Sequence, residues 1–301
     1  MIVHLIDGTY ELFRHFYGLR RFNKGKDRPM GAVVGVLNGL LQMIEEGASY
    51  LGVATDHVIE SFRNDLWDDY KTGEGIEPAL RAQFQPLEDA LVVMGVTVWP
   101  MVELEADDAL ASAAALAAKD RRVQKVCIWT PDKDLAQCVR GDRIVQVDRK
   151  SHVIRDAEGV HAKFGVIPER IPDYLALVGD ASDGYPGITG IGPKGAAGLI
   201  DRFGRIEDFP SEILGDGKSL ALLFKRLATL RDDAALFSDV GRLEWHGPGE
   251  GFAAMTSTLG DPRLFARAEK AFHSPKALES RSPTAIALKK KSNKAAKQPH
   301  K

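Results

Sequence analysis

The sequence predicts an α/β fold with a mainly parallel sheet flanked by helices, followed by a smaller α-helical region. Short apolar runs rich in β-branched residues alternate with helical patterns in the first half of the chain, whereas the second half contains helices and turns. Alternation of this kind is typical of parallel sheets, because each crossover between parallel strands uses a helix. Ligands of such sheets bind beyond the carboxyl ends of the strands.

Each element follows from its local pattern. Strands are predicted at residues 2–6, 51–55, 96–99, 123–130 and 143–147. Helical periodicity is present at residues 10–18, 33–44, 79–94, 107–118 and, more briefly, 133–139. Further helices are predicted at residues 172–178, 194–203 and 219–230, with a weak strand pattern at 242–245. We therefore expect three regions, at residues 1–160, 161–273 and 274–301.

Composition limits the class of protein. With 301 residues, 44% hydrophobic and 27% charged, the chain is long enough for two domains with real cores. The longest apolar stretch, residues 109–118, is too short to span a membrane, and the N-terminus lacks a signal-peptide pattern, so we expect a cytoplasmic protein. Cys127 and Cys138 have no metal-type spacing, which argues against a disulfide framework or a thiolate zinc site.

Charge is distributed unevenly along the chain. Residues 274–301 contain eight Lys or Arg and one Glu, whereas the rest of the chain is acidic. This tail has too little apolar surface to fold and is predicted to be disordered. Two interpretations stay open for it, a solvated tail and a weak electrostatic contact with nucleic acid.

Nine carboxylates in five clusters are the strongest functional signal. Three of them, Asp7, Asp56 and Asp132, follow predicted strands and so project from the same edge of the sheet. Acids at helix starts are often only caps, but so much charge in one pocket requires cations. Carboxylates suit Mg²⁺ or Mn²⁺. The sequence therefore predicts a metal-dependent enzyme, with these candidate ligands: Asp7, Asp56, Glu105, Asp107, Asp108, Asp132, Asp134, Asp180 and Asp183.

A glycine-rich segment at residues 190–195 satisfies the pattern G-x-G-x-x-G. No strand precedes it, which argues against a dinucleotide site. We predict a tight turn between two helices, in which backbone N–H groups contact a phosphate and Lys194 adds positive charge. An ordinary helix–turn–helix corner is the alternative. The candidate DNA-binding residues are Gly190, Gly192, Lys194 and Gly195.

Five segments together resemble the 5′-nuclease family, which comprises the 5′→3′ exonuclease domain of bacterial DNA polymerase I, phage exonucleases and flap endonucleases. The resemblance extends from about residue 2 to residue 250. The segments are Leu5-Ile6-Asp7-Gly8 through Arg14, Ser61-Phe62-Arg63 with Tyr70-Lys71, Glu105-Ala106-Asp107-Asp108, Thr130-Pro131-Asp132-Lys133-Asp134, and Gly179-Asp180-Ala181-Ser182-Asp183 leading to Gly190-Ile191-Gly192-Pro193-Lys194.

The resemblance implies a PIN-like nuclease domain followed by a helix–three-turn–helix DNA-binding domain. It implies two Mg²⁺ or Mn²⁺ ions, the first bound by Asp7, Asp56, Glu105, Asp107 and Asp108, the second by Asp132, Asp134, Asp180 and Asp183. Lys71 matches a lysine that contacts the scissile phosphate at the base of a helical arch, and Arg63 an arginine nearby. The glycine turn matches a duplex-binding hairpin that also holds K⁺.

The function implied is that of a structure-specific 5′→3′ exonuclease or flap endonuclease acting on DNA with 5′ ends, flaps or nicks, in replication and repair. We expect a nucleoid-associated monomer without a nucleotide cofactor. Residues 72–75 depart from the family pattern and indicate a short or flexible arch. A non-catalytic DNA-binding protein that retains the fold, and a PIN-type ribonuclease, are the alternatives.

Overall fold

The computed structural model describes residues 1–23 and 28–274. The basic tail predicted to be disordered spans residues 274–301, and all of it after residue 274 lies outside the described residues. In the described part of the chain, every helix is too short or too polar to cross a membrane.

A six-stranded sheet forms the first half, in the order β3-β2-β1-β4-β5-β6. The first five strands are parallel, as predicted, and β6 runs antiparallel to β5. No sequence pattern predicts β6, because it has three residues and two of them, Val153 and Ile154, are exposed. The strands are β1 Ile2–Asp7, β2 Tyr50–Asp56, β3 Thr97–Met101, β4 Lys125–Trp129, β5 Ile144–Asp148 and β6 Val153–Arg155.

Helices cover both faces of the sheet. The alanine-rich α5 packs on one face against β1 to β4, whereas α1, α2 and α4 form the layer on the other face. The helix predicted at 79–94 is instead two helices, since Pro86 fits only the first turn of a new helix. The helix predicted at 133–139 is a 3₁₀ helix, Asp134–Cys138. The α-helices of this half are α1 Gly8–Asn23, α2 Gly31–Glu45, α3 Pro78–Arg81, α4 Phe84–Val93 and α5 Ala106–Lys119.

The segment between β2 and α3, where the resemblance implies an arch, consists of turns at residues 57–77. The four-residue α3 follows it. The segment reaches the metal centre described below through Arg63, Tyr70 and Lys71.

A second hydrophobic core lies among the helices after the sheet. It is centred on α7 and α10, with buried side chains such as Leu175 and Phe224. The three helices predicted in this region are present, and α6 precedes them. The helices are α6 Ala157–Phe164, α7 Ile171–Val178, α8 Pro193–Phe203, α9 Ser211–Leu214 and α10 Lys218–Ala228.

The last described residues pack against the hydrophobic core of the sheet region, called here the first core. Helices α11 (Phe252–Thr258) and α12 (Arg263–Phe272) pack against α4 and α2. Trp245 donates a hydrogen bond from Nε1 to the carbonyl of Met94. The strand predicted at 242–245 is wrong, because Val240–Leu243 forms a 3₁₀ helix and Glu244 makes only an isolated bridge to Tyr50. The three-region division at residues 160 and 273 stays a prediction.

We predict that Phe252→Ala lowers the free energy of unfolding by about 3–5 kcal/mol, because the Phe252 ring is fully buried in the core of the sheet region. Phe272→Ala is the matched control, since its ring is 43% exposed, and we expect a clearly smaller loss. Urea denaturation measures both. Equal losses would contradict the assignment of α11 to the first core.

Candidate metal centre

The carboxyl edge of the sheet gathers the acidic side chains. Asp7 and Asp56 are the last residues of β1 and β2, which are neighbours in the sheet. Asp132 follows β4, which pairs with the other side of β1. Glu105 is the N-cap of α5, directly after β3. Parallel strands thus bring four distant positions to one edge, as the sequence predicted.

Backbone and hydroxyl donors fix the first two carboxylates. Asp7 accepts hydrogen bonds from the N–H of Tyr10 at 2.8 Å and from the hydroxyl of Thr130 at 3.0 Å. Asp56 accepts one from the N–H of Ala106 at 2.8 Å, at the start of α5. These bonds orient the carboxylates but leave oxygen lone pairs for a cation.

Asp134, Asp180 and Asp183 form a tight group in which one carboxylate oxygen of each lies within 4.8 Å of the others. All three side chains are buried. Asp134 begins the 3₁₀ helix after β4, whereas Asp180 and Asp183 lie in the loop after α7. The fold therefore joins acids from the sheet region and the helical region into one site.

Two buried side-chain atoms of the described residues, Asp134 Oδ1 and Tyr185 Oη, lack a hydrogen-bond partner. Leaving a buried carboxylate oxygen unpaired costs free energy that a bound cation would recover. The donor set consists of hard oxygens, which suits Mg²⁺ or Mn²⁺. The residues present thus fit a divalent ion.

The pKa values of several of these acids are raised by burial and by the charges of neighbouring acids. Burial, with the charges of Asp56 and Asp132, raises the pKa of Asp7 to about 7. Burial also raises the pKa of Asp183 to about 6, although Lys71 opposes this. Burial and neighbouring acids raise the pKa values of Asp107 and Asp134 well above the usual range. Bound cations would reverse these shifts by favouring the charged forms.

Asp107 and Asp132 connect the two groups of acids. Asp107 lies on the first turn of α5 and is partly exposed, and Asp132 is exposed. The charge of Asp132 raises the pKa of Asp7 and Asp107 and also that of Asp134. Asp132, which the resemblance places with the second group, therefore lies within electrostatic reach of both.

Lys71 forms ion pairs with an acid of each group. Its ammonium lies 2.7 Å from Glu105 Oε2 and 3.1 Å from Asp183 Oδ1. Burial alone would lower the pKa of this lysine, but these two carboxylates hold it well above the usual value. Lys71 and Arg63 in turn hold the pKa of Glu105 below its usual value, despite its burial. Lys71 thus stays charged beside the acids, with its side chain 27% exposed.

Arg63 and Asp108 lie inside the protein. The guanidinium donates to both oxygens of Asp108, at 2.8 and 2.7 Å, and to Glu105 at 3.0 Å. Its remaining bonds go to the carbonyls of Leu227 and Thr229. With Arg63 1% exposed and Asp108 fully buried, neither side chain is placed to touch a substrate.

Asp108 also completes a capping box. It accepts a hydrogen bond from the N–H of Glu105 at 3.0 Å, while the Glu105 side chain accepts one from the N–H of Asp108. It further accepts the N–H of Arg231 at 2.8 Å. Asp108 thus acts as a helix cap, which was the alternative interpretation of these acids. Both of its carboxylate oxygens already accept hydrogen bonds.

The glycine turn lies between α7 and α8. Gly190 adopts a positive φ of 86°, and Gly192 is the N-cap of α8 without a side-chain cap bond. A Cβ at Gly190 or Gly192 would meet no atom within 4 Å, so the backbone is open to a ligand. Lys194 and Gly195 are exposed in the first turn of α8, where backbone N–H groups lack intrahelical partners.

Other side chains support the acids and were not singled out from the sequence. Lys133 lies 2.7 Å from Asp180 Oδ2, and Ser182 donates to Asp180 Oδ1 from both its N–H and its hydroxyl. Ser61 donates to Glu105 at 2.6 Å. Each lies within four residues of a candidate residue, but sequence proximity alone does not show which side chains turn toward the site.

Comparisons with known proteins identify the family that the chain matches. Residues 2–165 match the family described as "5′-3′ exonuclease, N-terminal resolvase-like domain", and residues 166–250 match "5′-3′ exonuclease, C-terminal SAM fold". A 5′-3′ exonuclease of Aquifex aeolicus is 34% identical over 209 residues, covering 68% of this chain and 71% of the relative. DNA polymerase I of Pseudomonas aeruginosa is 34% identical over 267 residues, covering 82% of this chain but 28% of the polymerase.

A solved structure shares the fold. The flap endonuclease of bacteriophage T5, in a pseudo-enzyme–product complex with DNA and metal ions, superposes with a TM-score of 0.62 at 19% identity. The match covers 90% of this chain and 98% of the phage protein.

We predict that Asp7→Asn makes the metal-free protein more stable at pH 8 than the parent, and that this advantage shrinks toward pH 5. The folded-state pKa of Asp7 is about 7 against a usual 3.8, so the folded state binds the proton more tightly. Its contribution to stability therefore falls as pH rises from about 4 to 7. Thermal unfolding in EDTA from pH 5 to 8 measures it, and a pH-independent difference between the two proteins would refute it.

We predict that Arg63→Met lowers the free energy of unfolding by about 3–5 kcal/mol, because it leaves the Asp108 carboxylate buried without its partner. The double variant Arg63→Met/Asp108→Leu should recover much of this loss, since no unpaired charge remains. Chemical denaturation measures both. If Arg63→Met is as stable as the parent, the guanidinium is not a structural counter-ion.

Proposed function

This chain belongs to the 5′-3′ exonuclease family of metal-dependent nucleases, and we propose that it hydrolyses DNA phosphodiester bonds at 5′ ends, flaps or nicks with two bound Mg²⁺ or Mn²⁺ ions. The observation that carries the proposal is the convergence of Asp134, Asp180 and Asp183 within 4.8 Å, with one buried oxygen unpaired. Asp7, Asp56 and Asp107 lie at the same edge and would hold the other ion, whereas Asp132 stays with the second group.

The divalent ions, when bound, supply Lewis-acid activation of water and neutralise charge on the phosphate. The carboxylates of the chain hold and separate the ions rather than exchange protons themselves. In this proposal Asp108 caps α5 and Glu105 anchors Lys71, so the first ion depends chiefly on the other acids of its group.

Lys71 is the side chain best placed to touch the scissile phosphate. Its ammonium borders both groups of acids, and the side chain as a whole is partly exposed. A cation at this position stabilises negative charge that develops on the phosphate in the transition state. Arg63, which is buried, would act as a positioning residue, because it fixes Glu105 and thereby the partner of Lys71.

The glycine turn would hold the DNA backbone. Free N–H groups at the start of α8, with Lys194, form a sequence-independent phosphate site. The carbonyls of the same turn are the proposed location of K⁺. Asp183 precedes Gly190 by a few residues. A duplex bound at the turn would therefore be held by a segment directly next to the acids in the chain. We further propose a monomer that works in the cytoplasm with the nucleoid and uses no nucleotide cofactor.

We predict that Asp134→Asn folds normally but loses DNA cleavage by two orders of magnitude or more, because the unpaired oxygen at the metal site becomes part of an uncharged amide. Asp142→Asn is the matched control, since Asp142 is exposed at the opposite edge of the sheet, before β5, and should cleave normally. The assay uses a 5′-flapped duplex with Mg²⁺ and with EDTA.

Other outcomes separate the alternatives. Tight DNA binding without turnover in Mg²⁺ would identify a non-catalytic binding protein, and preferential cleavage of single-stranded RNA would identify a PIN-type ribonuclease. Either result would refute the proposed reaction. Equal cleavage by the parent and Asp134→Asn would refute the assignment of this aspartate as a metal ligand.

A further inference from the structure

Tyr185 carries one of the two buried side-chain atoms that have no hydrogen-bond partner in the described part of the chain. The other is Oδ1 of Asp134, a candidate ligand in the second group of acids. Tyr185 is 1% exposed, so its hydroxyl is shut off from bulk solvent. Because buried hydroxyl groups nearly always have a partner, an unpaired one requires a physical explanation.

The backbone fixes Tyr185 beside the acids. Tyr185 and Asp180 exchange two backbone hydrogen bonds, at 2.8 and 3.1 Å, and the short loop between them contains Asp183. Trp67 Nε1 donates to the carbonyl of Gly184 at 3.1 Å, which ties the same loop to the segment after β2. Tyr185 therefore belongs to the loop that supplies two of the candidate ligands.

Packing of the ring fixes the hydroxyl as well. The centroid of the Tyr185 ring lies 5.5 Å from that of Phe224, which is fully buried in the helical core. Burial and, after it, the charges of Asp134 and neighbouring acids raise the pKa of Tyr185. The hydroxyl thus keeps its proton and lies within electrostatic reach of Asp134.

The two other carboxylates of this tight group already have cationic partners. Lys133 pairs with Asp180, and Lys71 pairs with Asp183. For Asp134, in contrast, Oδ1 has no partner among the described residues. Both unpaired atoms, this oxygen and the tyrosine hydroxyl, therefore lie where the carboxylates converge.

A hydrated cation accounts for an unpaired hydroxyl at such a place. Mg²⁺ in proteins usually keeps several water ligands. A water attached to a cation is more acidic than bulk water and is therefore a strong hydrogen-bond donor. A tyrosine hydroxyl can accept such a bond. Polar groups that are close but not in direct contact are commonly joined by a water molecule.

We propose that the Tyr185 hydroxyl accepts a hydrogen bond from a water ligand of the divalent ion held by Asp134, Asp180 and Asp183. Tyr185 is then a positioning residue, which orients the hydrated ion without touching the substrate. The inference deepens the proposed function and rests on it, because the hydroxyl gains this partner only when the ion is bound. Outer partners of metal ligands typically change metal affinity by about 10-fold to 100-fold.

Tyr185→Phe tests the proposal, because it removes the hydroxyl and keeps the ring against Phe224. Tyr174→Phe is the matched control. Tyr174 is also buried in the helical core, but the charge near its hydroxyl is that of Lys133. Mn²⁺ binding is measured from the electron paramagnetic resonance signal of the free ion, and thermal unfolding is measured in EDTA. Cleavage of a 5′-flapped duplex is titrated with Mg²⁺.

We expect Tyr185→Phe to weaken the binding of one Mn²⁺ ion about tenfold and to raise the Mg²⁺ concentration for half-maximal cleavage by a similar factor. The rate at saturating Mg²⁺ should be largely kept. In EDTA the Tm of Tyr185→Phe should equal or exceed that of the parent, because no unpaired hydroxyl remains buried. Tyr174→Phe should bind Mn²⁺ as the parent does.

Equal Mn²⁺ affinity of Tyr185→Phe and the parent would overturn the inference. If the Tm of Tyr185→Phe in EDTA is also lower, the hydroxyl serves the packing of the core instead. In either case, a parent that binds Mn²⁺ and cleaves the flap confines the failure to Tyr185. A parent that binds no Mn²⁺ would refute the proposed function, and this inference with it.

Discussion

Crowding of negative charge at the carboxyl edge of the sheet is the constraint on which the rest of the structure depends. Parallel strands deliver Asp7, Asp56 and Asp132 to one edge, and the loop after α7 adds Asp180 and Asp183. Buried carboxylates repel one another and lose hydration. The chain meets this cost with internal cations and an arrangement of oxygens that suits divalent ions.

The two internal cations do different things because their exposure differs. Arg63 is enclosed and has an acceptor for each of its donor directions, so it joins α5 to the backbone after α10. Lys71 is partly exposed and spans from Glu105 to Asp183. The first interaction holds the helical region against the sheet region, and the second places a positive charge between the two groups of acids. Together they keep Asp180 and Asp183 within reach of Asp134.

Charge is also arranged on the scale of the whole molecule. The net charge is −2, and the described body carries most of the acids. Lys194, exposed in the first turn of α8, is a local positive charge on this acidic body.

The sequence by itself determined the order and type of most elements, because period-2 and period-3.6 patterns record which side chains face a core. It also determined which acids lie at strand ends, since Asp7 and Asp56 directly follow apolar runs. It failed where an element is very short or exposed, as in β6, and where proline restarts a helix, as at Pro86.

Only the tertiary structure decided how individual side chains are used. Asp107 and Asp108 are adjacent in sequence, yet one faces the acids and the other is enclosed by Arg63, because successive helical residues point about 100° apart. From the sequence alone, the glycines of α2 only lower the helix propensity. In the structure, His15 and Arg149 occupy the space that a side chain would fill at Gly35 and Gly39. Such roles depend on contacts between residues far apart in the chain, which local patterns do not record.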